Sequence, residues 1–269
     1  MSAEFRPFEI VEGDLTNGIL LICDHARSGL PSNYGSLGLP ETEFERHIAY
    51  DIGAEALTRE LAARLGAPAV HSCFSRLLID PNRGVDDPTI VMGLSDGTVV
   101  PGNHPISDEE IDHRIKAYHA PYHGAVEKMI ESILKTGINP LIFSVHSFTP
   151  VWKGLERPWH ATMLWDADPR LSSFVVNELG LDSGLVVDDN EPYDGALKND
   201  TMYQHATQRG LAQGLIEVRQ DLIADKQGVT EWADRLAPIL VKANARSDMH
   251  EIRYYGSRTD GTYLNGDYT

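Results

Sequence analysis

Two hydrophobic patterns alternate along the chain. Short apolar runs predict strands at Phe8 to Val11, Gly18 to Cys23, Pro140 to Val145, Ala161 to Trp165, Gly184 to Val187 and Gly214 to Val218. Ala69 to Ile79 predicts one or two more. Helical periodicity covers Glu41 to Leu65, Ser107 to Lys135 and Glu231 to Ala245. Ser107-Asp-Glu-Glu110 has the form of a capping box, and Pro121 marks a point where that helix can kink. Asp168 and Pro169 predict the cap and first residue of a further helix through Leu179. Strands spaced by helices predict βαβ units and a mostly parallel sheet covered on both faces. Arg83 to Ile106 and Asp188 to Asp200 are rich in Gly, Pro, Asn and Asp and predict long loops, which often carry function in compact domains. With no internal repeat or low-complexity linker, one domain over residues 1–269 is expected.

Composition narrows the function. Of 269 residues, 42% are apolar and 23% charged, an ordinary globular balance. The net charge of −17 argues against nucleic acid as a partner and requires a local arginine cluster for any anionic substrate. No apolar run approaches the roughly 20 residues of a membrane span, and Met1 to Pro7 lacks the apolar core of a signal peptide, so a cytoplasmic protein with no membrane partner is expected. Cys23 and Cys73 lie in apolar segments and read as reduced core thiols. Nothing in the sequence bears on oligomeric state.

In an open α/β sheet, ligands bind outside the carboxyl ends of the strands. Four segments place polar side chains there: Asp24 and His25, the run Ser75 to Arg83, His146, and Glu217. In the helix predicted from Glu41, residues Phe44, Ile48, Ile52 and Ala56 form an apolar stripe that Ala62 and Leu65 widen. Asp51 and Glu55 fall within it, and a carboxylate facing the core needs a metal ion or an arginine partner such as Arg76 or Arg83. His47, one turn earlier, is a candidate hydrogen-bond partner for Asp51. His25, Asp51 and His146 would make a three-ligand site with an open fourth position, the arrangement catalytic zinc uses. No Cys-x-x-Cys pair or glycine-rich phosphate loop is present. Gly93-Leu-Ser-Asp-Gly97 matches the serine-hydrolase elbow but lacks its flanking strand and helix, so it reads as a chance match. His119 and His123 read first as packing residues against the sheet, with His123 supporting a metal ligand as the functional alternative. His160 and His205 read as surface or packing residues, and Asp188 to Glu191 as a solvated turn.

The segments Cys23-Asp-His-Ala-Arg-Ser-Gly-Leu-Pro31, Tyr50-Asp-Ile-Gly-Ala54, Ser75-Arg-Leu-Leu-Ile-Asp-Pro-Asn-Arg83, Tyr118-His-Ala-Pro-Tyr-His123, Val145-His-Ser147 and Ile216-Glu-Val218 occur in this order. Together they resemble the N-formylglutamate amidohydrolase family, related in fold to zinc carboxypeptidases and aspartoacylases. The resemblance implies an α/β fold of one domain with a mostly parallel mixed sheet flanked by helices, zinc-carboxypeptidase-like (the phosphorylase/hydrolase-like class). It implies a metal-dependent amidohydrolase that cleaves an N-acyl amino acid, N-formylglutamate in the parent case. His25, Asp51 and His146 would hold one divalent ion, Zn²⁺, Glu217 would be the general base, and Arg76 would face the scissile carbonyl. Asn82 and Arg83 resemble the pair that holds a substrate carboxylate in carboxypeptidases, with an ion pair to Asp80, Asp86 or Asp87 as the structural alternative for Arg83. Two departures mark a divergent branch. Ser28 stands where the carboxypeptidase His-x-x-Glu pattern has its glutamate, leaving Asp51 first and Asp24 second as third ligand, and the first motif begins Cys-Asp-His rather than Pro-His. A zinc peptidase acting on a small peptide or cell-wall fragment, and a carboxylate-binding protein without catalysis, are the competing readings.

Overall fold

The structure, a computed structural model, describes residues 5–260. Its main sheet has seven strands: β1 (Phe8–Val11), β2 (Ile19–Cys23), β3 (Ala69–Ser72), β4 (Leu141–Phe148), β5 (Ala161–Leu164), β6 (Val187–Asp189) and β7 (Gln213–Arg219). They lie in the order β1-β3-β2-β4-β7-β5-β6. Four of the six pairings are parallel; β1 with β3 and β7 with β5 run antiparallel. The sheet is therefore mixed and mostly parallel, as the alternation of patterns predicts. Strands β2, β4 and β7 are buried almost throughout because helices cover both faces.

One face packs on α1 (Ala54–Leu65), α4 (Arg170–Leu179) and α6 (Lys226–Asn244), through Leu57, Leu61, Val175, Trp232 and Leu236. The other packs on α3 (Ala120–Leu134), through Tyr122, Val126 and Ile130. Between them in sequence lie α2 (Asp108–Arg114) and the short α5 (Thr201–His205). Ser107 caps α2 as its sequence predicts, its hydroxyl accepting from the Glu110 amide. Asp225 caps α6, which starts five residues before the predicted Glu231.

Three predicted elements differ. The helix expected over Glu41 to Leu65 is a short 3₁₀ turn at Glu41–Glu45, an irregular stretch, and then α1 from Ala54. Gly53 explains the break: its φ is +82°, a left-handed conformation that no helix interior contains. The segment after β3 is not a second strand. The chain leaves the sheet at Ser72, and Ser75 to Arg83 run as consecutive turns over the sheet's carboxyl end. Asp188 and Asp189, expected in a solvated turn, belong to edge strand β6 and accept from the indoles of Trp159 and Trp165. The Gly93 to Gly97 run forms a two-stranded ribbon, Leu94–Ser95 with Thr98–Val99, turning at Asp96 and Gly97. It is not a nucleophile elbow. Cys23 and Cys73 are buried free thiols.

Candidate active site

The carboxyl ends of β2, β4 and β7 meet at one place. Parallel register sets Glu217 directly beside His146 and Ile22 beside Ser144, so Asp24 and His25 follow at the same level. Asp51 arrives from the loop before α1. Its amide donates to the His25 carbonyl over 2.9 Å, tying the loop to the end of β2. Asp51 is buried, as the apolar stripe predicts, but it lies outside any helix. Glu55, its alternative, faces away and is held by Arg27 and Arg59. His47 does not reach Asp51 and stands 3.5 Å from Asp96.

His25, Asp51 and His146 are all buried, and each offers a ligand atom within 4.8 Å of the others. Both imidazoles point Nδ1 at Asp51 Oδ2, at 3.3 Å from His25 and 2.8 Å from His146. Their far nitrogens are anchored on other buried carboxylates. His25 Nε2 lies 2.7 Å from Asp80 Oδ1, and His146 Nε2 lies 3.0 Å from Asp24 Oδ2. A carboxylate behind each imidazole fixes its orientation and raises its basicity, the usual support of a metal-binding histidine. Asp24, the second choice as third ligand, thus lies behind His146. It also accepts from Tyr122, Ser144 and Thr201, which use up its oxygens.

The electrostatics follow from this pairing. Burial alone would raise Asp24, Asp51 and Asp80, but the neighbouring cations outweigh it. His146 holds Asp24 below the usual carboxylate range, His25 and His146 hold Asp51, and Arg76 and His25 hold Asp80. Burial works to lower His146, yet its bonds to Asp24 and Asp51 lift it well above an ordinary histidine. His25 is also raised, the charges of Asp80 and Asp51 overcoming burial and Arg76. Without an ion, both rings carry protons on the Nδ1 atoms that face Asp51.

Glu217 stands apart from these pairs. It makes no ion pair among the described residues, Arg219 bonding to Asp221 and Arg76 to Asp51 and Asp80. Its Oε2 is buried without a partner, and burial pushes the carboxyl up to about 7. Arg76 lies 2.8 Å from Asp80 and 3.4 Å from Asp51, with its Nε unpartnered.

His25, Asp51, Arg76, His146 and Glu217 line a cavity of about 520 Å³ together with Asn82 and Arg83. Its outer wall comes from both predicted loops, through residues such as Asp96, Tyr193 and Leu197. Asn82 Oδ1 accepts from the Thr201 amide at 3.2 Å. The Arg83 guanidinium makes no ion pair or hydrogen bond among the described residues, so the expected alternative pairs with Asp80, Asp86 or Asp87 are not formed. Sequence reading missed Asp80 as the support of His25, although it sits inside the Ser75 to Arg83 motif. It also missed Asp200, which caps α5, lines the cavity and is raised by burial to about 7. A lone aspartate in a loop carries no periodic signal that could have flagged it.

Residues 17–224 match the family described as N-formylglutamate amidohydrolase. Among solved structures, the gene product Atu2144 from Agrobacterium tumefaciens is 31% identical over 90% of this chain and 96% of its own, with a TM-score of 0.84. The N-formylglutamate amidohydrolase from Ralstonia eutropha JMP134 shares the fold at 21% identity and a TM-score of 0.62, over 88% of this chain and 97% of its own. No curated protein sequence is a significant match.

Proposed function

Because this chain belongs to the N-formylglutamate amidohydrolase family, we propose that it is a metal-dependent amidohydrolase acting on the amide of an N-acyl, in the first instance N-formyl, amino acid. One observation carries this reading. Two imidazoles converge through Nδ1 on one carboxylate, each is backed by a second carboxylate, and beside them lies a glutamate oxygen with no partner. Two nitrogens and an oxygen form the donor set of a catalytic zinc site, so His25, Asp51 and His146 would hold the ion. Bound there, it would supply electrophilic polarisation of the amide carbonyl and a more acidic water.

The chain's own residues do the rest. Glu217 accepts a proton from the attacking water as its oxygen bonds to the acyl carbon, and delivers that proton to the nitrogen as the C–N bond breaks. A carboxyl near 7 is half ionised at neutral pH and suits both transfers. Arg76, held by Asp51 and Asp80, keeps its cation beside the oxygen that gains charge. Arg83, whose guanidinium has no ion pair or hydrogen bond among the described residues, takes the α-carboxylate that every N-acyl amino acid carries, with Asn82 beside it. Arg83 would supply the local cation that an anionic substrate needs against a net charge of −17. A cavity of about 520 Å³ has room for one acylated amino acid.

Metal content of the purified protein, followed by a hydrolysis panel of N-formyl and N-acetyl amino acids, tests this. Stoichiometric zinc or another divalent ion, with release of a carboxylic acid and a free amino acid, is the expected result. A metal-free protein that releases no amino acid from any substrate, with or without added Zn²⁺, would overturn it.

A further inference from the structure

A second histidine group lies outside this chemistry. His119 and His123 stand one turn apart around the start of α3, and His205 ends α5. Their rings adjoin in series, His119 tilted at 37° to His123 and His123 nearly parallel to His205. The His119 and His123 centroids are 4.2 Å apart, and those of His123 and His205 are 5.1 Å apart at 17°. All three side chains are buried.

Their hydrogen bonds fix where the protons sit. His123 Nε2 lies 2.9 Å from the Pro81 carbonyl, which can only accept, so this nitrogen carries hydrogen. In the neutral ring Nδ1 is then a bare acceptor, and His205 Nε2 donates to it over 2.8 Å. His119 Nε2 donates to the Arg83 carbonyl over 2.9 Å. Burial lowers all three pKa values, to about 3 for His123 and about 4 for His205, which keeps the series neutral and its direction fixed. Every Nε2 is committed to a hydrogen bond, so the stack presents no common point for a metal ion.

The two accepting carbonyls flank Asn82. The same short helix that ends in His205 begins at Thr201, whose amide donates to Asn82 Oδ1. The segment Pro81 to Arg83 has no strand partner. Its position is set by these donors, by the Asn82 amide on Asp80 at 2.9 Å, and by the Arg83 amide on the Asp80 carbonyl at 3.3 Å.

We propose that His205, His123 and His119 are positioning residues that hold Asn82 and Arg83 in place for the substrate carboxylate. This rests on the reading of Arg83 given above. The stack acts through the backbone and touches neither substrate nor ion. Both ring nitrogens of His123 are taken by His205 and the Pro81 carbonyl, so it does not bond to a candidate metal ligand as the functional alternative expects.

The test compares N-formyl-L-glutamate with its α-carboxamide on the zinc-loaded wild type and on Arg83→Ala, His205→Phe and His205→Gln. His205→Phe removes the donor to His123, whereas the glutamine amide reaches the same point as Nε2. The expected result is a KM for the acid raised about tenfold in His205→Phe, equal to about 1.4 kcal/mol. Its kcat should stay within about threefold, the carboxamide KM within about twofold, and His205→Gln should return the acid KM to within about threefold of wild type. If His205→Phe does not fold, His205→Met is judged by the same KM comparison. A folded variant with unchanged KM, or with equal rises for acid and carboxamide, overturns the proposal and leaves the stack a packing feature. If Arg83→Ala fails to discriminate between the two substrates, the reading of Arg83 falls instead, whatever the histidines do.

Discussion

At Glu217 the surroundings decide which protonation state works. Burial pushes its carboxyl up to about 7, so only part of it is ionised at neutral pH. A general base must be ionised to act. The acid limb of kcat/KM should therefore fall at or below pH 7, moving lower as a bound cation favours the carboxylate, and a pH–rate series checks it. Glu217→Gln keeps the size but cannot take a proton; kcat should drop by about 10²–10⁴ while metal content and Tm hold. Near-normal kcat in a folded, metal-loaded variant removes Glu217 from the mechanism. Arg83→Ala should raise KM for the acid and spare its carboxamide. The paired imidazoles make a further prediction. Their Nδ1 protons occupy the positions that ligand lone pairs need, so Zn²⁺ binding at pH 7 should release about one to two protons, measured by calorimetry in buffers of different ionisation heat. Ion uptake without proton release would mean that these rings are not the ligands. His25, His146 and Glu217 were legible because a polar residue ending an apolar run is conspicuous. Asp80 was not, because its partner His25 is 55 residues distant.

Among the elements, the strands were the more legible, since β2, β4 and β7 are buried runs whose apolar pattern nothing else explains. The helix before Asp51 was misread because Phe44, Ile48 and Ile52 keep helical spacing while the backbone does not. Ile48 packs instead in a small cluster with Leu37, Leu39 and Leu77. Gly53 is what the spacing hides. A Cβ there would lie 2.2 Å from the Ile223 carbonyl oxygen, and its φ of +82° disfavours any side chain. Gly53→Ala should therefore displace the turn that carries Asp51, weakening Zn²⁺ affinity as well as lowering Tm; an unchanged Kd for zinc would show that Asp51 is held independently of that turn. The helix predicted over Ser107 to Lys135 runs unbroken from Asp108 to Leu134 but not uniformly. Pro121 has no amide hydrogen to donate, and the chain widens into a π turn at Ile115–His119 just before it. That widening brings His119 to the Arg83 carbonyl.

Over the whole molecule, stability should depend on pH through groups that take no part in the proposed reaction. His123 and His205 stay neutral in the folded chain down to about 3 and 4, but take protons near 6.5 once unfolded. The unfolded chain therefore binds more protons as pH falls. Their contribution is intact above about 6.5 and is lost progressively below it, by about 1.4 kcal/mol per pH unit for each ring. Denaturant unfolding at pH 5–6 should show a correspondingly shallower slope in His205→Gln than in wild type, and identical slopes would mean the ring is protonated in both states. Strand order has its own consequence, for assembly. β5 and β6 join the sheet only through β7, which pairs with β4 on one side and β5 on the other. By the time residue 146 has been synthesised all three candidate ligand side chains exist, yet the strand that completes the sheet lies 67 residues further on and brings Glu217 with it. On the proposed function, the nascent chain would acquire its capacity to hold an ion and its capacity for hydrolysis in two stages, the second arriving with the segment that locks the two halves of the sheet together.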